Sequence, residues 1–341
     1  IDIRILLVAL IFIISSCSKT HKEPSPEKVL EIESLIKEGI IHTRQLEFEK
    51  AYDVLNLALK ESISSGAKKQ EIQSNINLML LYDTFNDSEK AIHYSLKALD
   101  LTQEYQIDEL YNSVYNNIGI AYSRNKNYKE AERYFRMALT ISIEQNSTER
   151  ISINLLNIAQ IKTDLNQDDS SIYYNEMILG LKGIENFKQI HSTVYNNTGE
   201  LFLNRGDYNA AKDNFFKALS IAEKDSILND IALFELNLGN SLYNLERYES
   251  ANSYLNSSLH LLLQSKNAEL ISECYYLLYK NEIAQNGTIS QEHYIQECLA
   301  WKDSSMFESK NKLLTDIKLE YEFQKKIKEI EYLEEKAITQ R

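Results

Sequence analysis

The sequence repeats itself every 40 residues, and this period constrains the fold more than any other feature of the chain. Tyr115-Asn116-Asn117-Ile118-Gly119 returns as Tyr195-Asn196-Asn197-Thr198-Gly199, and Asn237-Leu238-Gly239 follows 40 residues later. Stepping by 40 aligns Gly39, Met79, Gly119, Ala159, Gly199, Gly239 and Tyr279. A second column holds Ala51, Ala91, Ala131, Ser171, Ala211, Ala251 and Gln291, and a third Ala58, Ala98, Ala138, Ile178, Ala218, Ser258 and Cys298. Small residues dominate all three. Two antiparallel helices cross closely only where neither projects a bulky group, and larger neighbours then fill the sides of the crossing. Those neighbours are present as Tyr122, Phe135, Phe202, Phe215, Tyr243 and Leu255.

Between the halves of a unit lie Asn125-Lys126-Asn127-Tyr128, Arg205-Gly206-Asp207-Tyr208 and Glu246-Arg247-Tyr248, polar turns that feed an aromatic residue into a second helix. Each unit therefore reads as a helical hairpin. Nine Gly and two Pro in 341 residues are too few to punctuate a sandwich, a barrel or an α/β sheet, and 43% apolar residues can fill a large core, so the fold class expected is all-α. With 50 acids against 37 bases, a net charge of −13 argues against a nucleic-acid partner.

The aromatic, Leu-Gly, Tyr, Ala, Phe and Ala positions of residues 112–151 and 192–231 resemble the tetratricopeptide repeat. The resemblance covers residues 32–311 as seven units: 32–71, 72–111, 112–151, 152–191, 192–231, 232–271 and 272–311. It implies a right-handed α-solenoid, although the family's usual period is shorter and its helix-ending Pro is missing. The extra residues lengthen helix ends, as in Leu139-Thr140-Ile141-Ser142-Ile143-Glu144. Unit 152–191 departs from the pattern, with Lys162 in place of an aromatic and Asp168-Asp169-Ser170-Ser171 entering its second helix. Unit 272–311 has lost nearly every signature residue and reads as a terminal cap.

One column does not follow from packing. Asn77, Asn117, Asn157, Asn197 and Asn237 recur at the 40-residue step, and with 30 Asn in 341 residues their alignment is not a matter of composition. A side-chain amide offers one donor and one acceptor group, the pairing that grips the N–H and C=O of an extended backbone. In tetratricopeptide proteins the first helices line a concave groove, and these Asn resemble the family's backbone-gripping ladder. With helices about 10 Å apart and about 3.3 Å per extended residue, five rungs would span around a dozen ligand residues. Arg124, Asn204, Tyr243 and Asn244 complete the expected peptide-binding face, beside Ile120, Gln160, Asp164, Glu200 and Asn240. These positions lack the clustered Lys and Arg of the family's carboxylate clamp. In the alternative reading each Asn bonds within the protein and only braces the stack.

The ends differ from the repeats. Ile5 to Ile14 is an apolar run too short to span a bilayer, and Ile14-Ser15-Ser16-Cys17 resembles the bacterial lipobox, which implies a signal peptide over 1–17 and lipidation of Cys17. An ordinary signal peptide or a shortened membrane helix is the alternative. Residues 18–31, with Pro24 and Pro26, read as a polar tether. Residues 312–341 read as a charged helix whose Leu314, Ile317 and Tyr321 spacing suits a homodimeric coiled coil, a juxtamembrane connector or a capping helix. The segment resembles the connector of bacterial sensors that join periplasmic repeats to a membrane span, which here would lie beyond Arg341.

No motif for catalysis stands out. The six His are scattered without metal-ligand spacing, and no phosphate-binding Gly loop or Ser elbow occurs, so no enzyme, metal or cofactor is expected. Cys274 and Cys298 fall in opposite helices of the last unit, as a disulfide or as core thiols. The expected function is a non-catalytic, membrane-anchored module on the periplasmic face of a bacterial envelope that captures a peptide or protein segment, as the sensing part of a signalling protein or as a lipoprotein scaffold, with a structural envelope-assembly scaffold that binds a folded partner as the alternative.

Overall fold

The computed structural model describes residues 24–85, 87–225, 227–285 and 292–306. The signal peptide, Cys17 and the helix expected at 312–341 lie outside them. Helices follow one another as α1 (Pro26–Arg44), α2 (Phe48–Ser65), α3 (Lys68–Thr84), α4 (Ser88–Tyr105), α5 (Tyr111–Arg124), α6 (Tyr128–Glu144) and α7 (Thr148–Asp164). They continue as α8 (Asp168–Leu179), α9 (Lys188–Asn204), α10 (Tyr208–Asp225), α11 (Leu228–Asn244), α12 (Tyr248–Ser265), α13 (Ala268–Ala284) and α14 (292–306). No strand occurs among the described residues. The fold is all-α, a succession of helical hairpins of the α-solenoid type. The chain divides into two compact units, one ending at Asn117 and the other beginning at Ile118.

The hairpins begin ahead of the expected repeat frame, and α1 begins inside the segment read as a tether. Ser25 accepts a hydrogen bond from the Lys28 N–H at 3.2 Å, and Pro26 occupies the first helical turn, where its fixed φ suits a helix and its missing N–H costs nothing. Elsewhere Asp87, Asn127, Ser147, Asp207 and Asn267 cap helices in the same way.

The turns repeat as regularly as the helices. Within hairpins Leu46, Lys126, Asn166, Gly206 and Glu246 take left-handed φ values of 56–80°, each one period or two from the next. At Lys126 the turn closes with Lys126 N–H to Ser123 O at 2.8 Å and Asn127 N–H to Tyr122 O at 2.9 Å, which satisfies two end carbonyls of α5.

The small columns are explained by direct contact. A Cβ added at Gly39 would lie 2.5 Å from Leu55, and one at Gly239 would lie 2.8 Å from Leu255. At Gly119 and Gly199 it would lie 2.5 Å and 2.6 Å from the rings of Phe135 and Phe215. A first helix without a side chain thus receives a large residue from the second. Where the first helix instead carries Met79, the matching position is Ser95, and both are fully buried. In the unit ending at Asn117, a cluster of Phe48, Tyr52, Tyr82 and Phe85 adds to the core, with Phe48 and Phe85 edge to face at 4.8 Å.

Candidate functional site

The Asn column falls on first helices, but its members behave differently. In the unit ending at Asn117, Asn77 Nδ2 donates to Gln73 O and Asn117 Nδ2 to Ser113 O, both at 2.8 Å and both within their own helix. In the unit beginning at Ile118, Asn237 is 9% exposed and its Nδ2 donates to Asn196 Oδ1 at 3.0 Å and, at 3.4 Å, to Glu200 Oε1. Asn196 Nδ2 in turn donates to Glu200 Oε1 at 2.8 Å, so an amide, a second amide and a carboxylate join α9 to α11. Asn157 is half-buried and partnered. The side chain of Asn197, also half-buried, has no hydrogen-bond partner among the described residues.

In the unit beginning at Ile118, helices α7, α9, α11 and α13 carry further polar residues. Gln160 Nε2 donates to Asp164 Oδ1 at 2.8 Å, and Asn244 Nδ2 donates to Asn240 O and Oδ1 at 2.8 and 2.9 Å. Arg124 and Asn204 are exposed in the last turns of α5 and α9. Tyr243 is half-buried, with the Lys280 ammonium 4.6 Å from its ring centroid and 5.7 Å from that of Tyr276. Asn196 and Lys280 were not legible as site residues. Asn116 repeats Asn196, but Leu156 and Leu236 occupy the same position in other units, so a search by period passes over it.

A cavity of about 560 Å³ opens between α13 and α14, lined by Ser272, Glu273, Tyr276, Cys298, Lys302 and Met306 among others. Desolvation, reinforced by the charges of Glu269 and Glu200, holds the Glu273 carboxyl above the usual carboxylate range. Cys274 and Cys298 are free buried thiols turned toward different neighbours. Cys274 Sγ donates to Leu255 O at 3.2 Å, and Cys298 Sγ lies 3.7 Å from Ser272 Oγ. Burial pushes the Cys274 thiol up to about 12. Among the described residues no group of three or more His, Cys, Asp or Glu is arranged to hold a metal ion, and no helix is long and apolar enough to cross a membrane.

Two segments match the tetratricopeptide repeat family, residues 113–142 and 192–225. They coincide with hairpins α5–α6 and α9–α10, which carry the Gly119–Phe135 and Gly199–Phe215 pairs. The protein contains tetratricopeptide repeats, and its hairpins have the fold of that family. The apo form of RapI superposes with a TM-score of 0.67 at 16% identity, covering 86% of each chain. A signal transduction ATPase of the STAND class with a tetratricopeptide repeat sensor, from Pyrococcus horikoshii, gives 0.71 at 16% identity over 84% of this chain and 44% of that one. The apo quorum sensor NprR from B. thuringiensis gives 0.54 at 15% identity, covering 77% of this chain and 86% of its own. At such identities the likeness is one of fold. No curated protein matches the sequence.

Proposed function

We propose that the unit beginning at Ile118 captures an extended polypeptide segment on the amide-rich face of α7, α9 and α11. The observation that carries this reading is Asn197: a half-buried amide without a side-chain partner among the described residues, on the helix that carries the bonded pair Asn196–Glu200, while α11 carries the Asn240–Asn244 pair. Such an amide is prepared to accept one N–H and donate to one C=O without regard to sequence. Of the proteins of similar fold, one is described as a quorum sensor and another as a signal transduction ATPase with a tetratricopeptide repeat sensor, which agrees with an interaction module. The sequence of residues 1–17 supports export and anchoring through Cys17 at a bacterial envelope, and residues 312–341 support a connector or dimer contact.

A second reading has its own support. Asn77 and Asn117 are turned back onto their own helices, and Asn237 bonds Asn196, as expected of residues that brace helices within a structural scaffold. Panning a random-peptide display library on the full chain separates the two. For peptides recovered on this face, Asn197→Ala with Asn240→Ala should weaken binding about tenfold or more while shifting Tm by less than about 2 °C. No recovered peptide, or a large fall in Tm with unchanged affinity, would favour the scaffold.

A further inference from the structure

Hairpin α7–α8 departs from α5–α6, α9–α10 and α11–α12 at the crossing of its two helices. Asn175 is 1% exposed and occupies the position that holds Phe135 in α6, Phe215 in α10 and Leu255 in α12. Neither its Nδ2 nor its Oδ1 has a hydrogen-bond partner among the described residues, and the Oδ1 of Asn154 on α7 is likewise buried and unpaired. Ser171 stands where the other second helices carry Ala, its hydroxyl 2.8 Å from Thr163 Oγ1. Opposite Asn175 the first helix presents Ala159 rather than Gly. The crossing that in α5–α6, α9–α10 and α11–α12 seats an apolar group against a bare backbone here holds an amide and a hydroxyl. Buried polar groups that are only partly satisfied weigh against the folded state.

The second helix is also short. Helix α8 has 12 residues, against 17 in α6 and 18 in each of α10 and α12. The chain returns to α9 through Gly180, the left-handed Gly183 at φ 86° and a 3-10 turn, Ile184–Asn186, a longer link than the one that joins α6 to α7. Polar contacts help hold the hairpin to both neighbours. Lys162 pairs with Glu132 of α6 at 2.6 Å, Arg136 donates to Tyr174 at 2.6 Å, and Arg205, just after α9, pairs with Asp169 at 2.7 Å. Where such pairs are solvent-exposed they stabilise little.

We propose that α7–α8 is an opening segment built into the unit, one that unfolds locally and reversibly while α6 and hairpin α9–α10 remain folded. Local opening of this kind follows regions with poorly satisfied interiors and short elements. Because α7 carries Asn157, Gln160 and Asp164, each opening withdraws one row from the polar face and re-forms it on closing. The opening itself does not depend on that face binding a peptide.

Hydrogen–deuterium exchange of the full chain, read by mass spectrometry without denaturant, tests the proposal. Segments from α8 should exchange at least about tenfold faster than segments from α6 and α10. Equal rates in the three helices would overturn it. Ala159→Gly with Asn175→Leu recreates the pairing of Gly239 with Leu255 and should bring α8 to within about threefold of α10 while leaving α12 unchanged. A folded double variant whose α8 still exchanges as fast as the native one would overturn the assignment to Asn175. Should that variant fail to fold, the ranking in the native protein still decides.

Discussion

Hairpins α9–α10 and α7–α8 lie one period apart in the same unit and start from the same plan, yet they solve the helix crossing differently. In the first, Gly199 leaves a bare backbone against which the Phe215 ring seats, and α10 runs 18 residues. In the second, Ala159 faces Asn175, the amide finds no partner among the described residues, and α8 stops after 12. The comparison separates two properties of the repeat. The hairpin itself survives the loss of the Gly–Phe pair, because Ala159, Ser171 and the Asn166 turn are kept. Its internal satisfaction does not survive, because one residue at the crossing decides whether the interface is dry and filled.

Moving the difference from one hairpin to the other gives the largest expected effect. Phe215→Asn imports the Asn175 environment into α9–α10 and should cost about 4 kcal/mol of unfolding free energy by urea titration, a lost aromatic core residue plus a buried amide. A loss below about 1 kcal/mol would mean that the pair is not what holds the crossing. Gly199→Val comes next. Its new side chain meets the Phe215 ring at less than van der Waals distance and should cost about 2 kcal/mol by overpacking, with Ala159→Val costing less because Asn175 is the smaller partner.

The turns sharpen the same contrast at smaller scale. Lys126 and Asn166 both hold left-handed backbone, at φ 57° and 56°. Lys126→Gly should gain about 1 kcal/mol by removing the Cβ penalty, and Asn166→Gly distinctly less, since Asn already tolerates this region. Equal gains would remove the residue-specific account of the turns.

The smallest effect is read as a slope. Glu235 is 8% exposed, its Oε1 accepts from Ser257 Oγ at 2.8 Å, and its Oε2 is buried without a partner. Burial, with a further contribution from the Glu223 charge, raises its carboxyl above the usual carboxylate range. The folded protein therefore holds this proton more tightly than the unfolded chain. Stability should fall as pH rises from the ordinary carboxylate value through the raised one. Glu235→Gln removes that proton and should flatten the dependence of Tm on pH across this window while raising Tm at pH 7. An unchanged slope would show that Glu235 titrates as an ordinary carboxylate.

Much of the fold was legible because its determinants are periodic. Gly39, Gly119, Gly199 and Gly239 announce the crossings, and Tyr128, Tyr208 and Tyr248 mark where second helices begin. The division at Asn117 was not legible, since the 40-residue period runs through it unaltered. The start of α1 differs from the expected tether for another reason: a proline suits an extended tether and a first helical turn equally, and the Ser25 cap decides between them. At the candidate site the Asn column could be read but the direction of each amide could not. The same side chain can bond its own helix, as Asn77 does, a neighbouring helix, as Asn237 does, or nothing within the described protein, as with Asn197. Only the packing around each position selects among these.

The most direct test of polypeptide capture is side-chain amide NMR of the asparagine-labelled protein, titrated with a peptide recovered by display. Capture on the proposed face predicts shifts of the Asn197, Asn240 and Asn244 side-chain amide signals, while the buried Asn75 and Asn154 signals stay in place. Saturable binding that leaves Asn197, Asn240 and Asn244 unmoved would contradict the account.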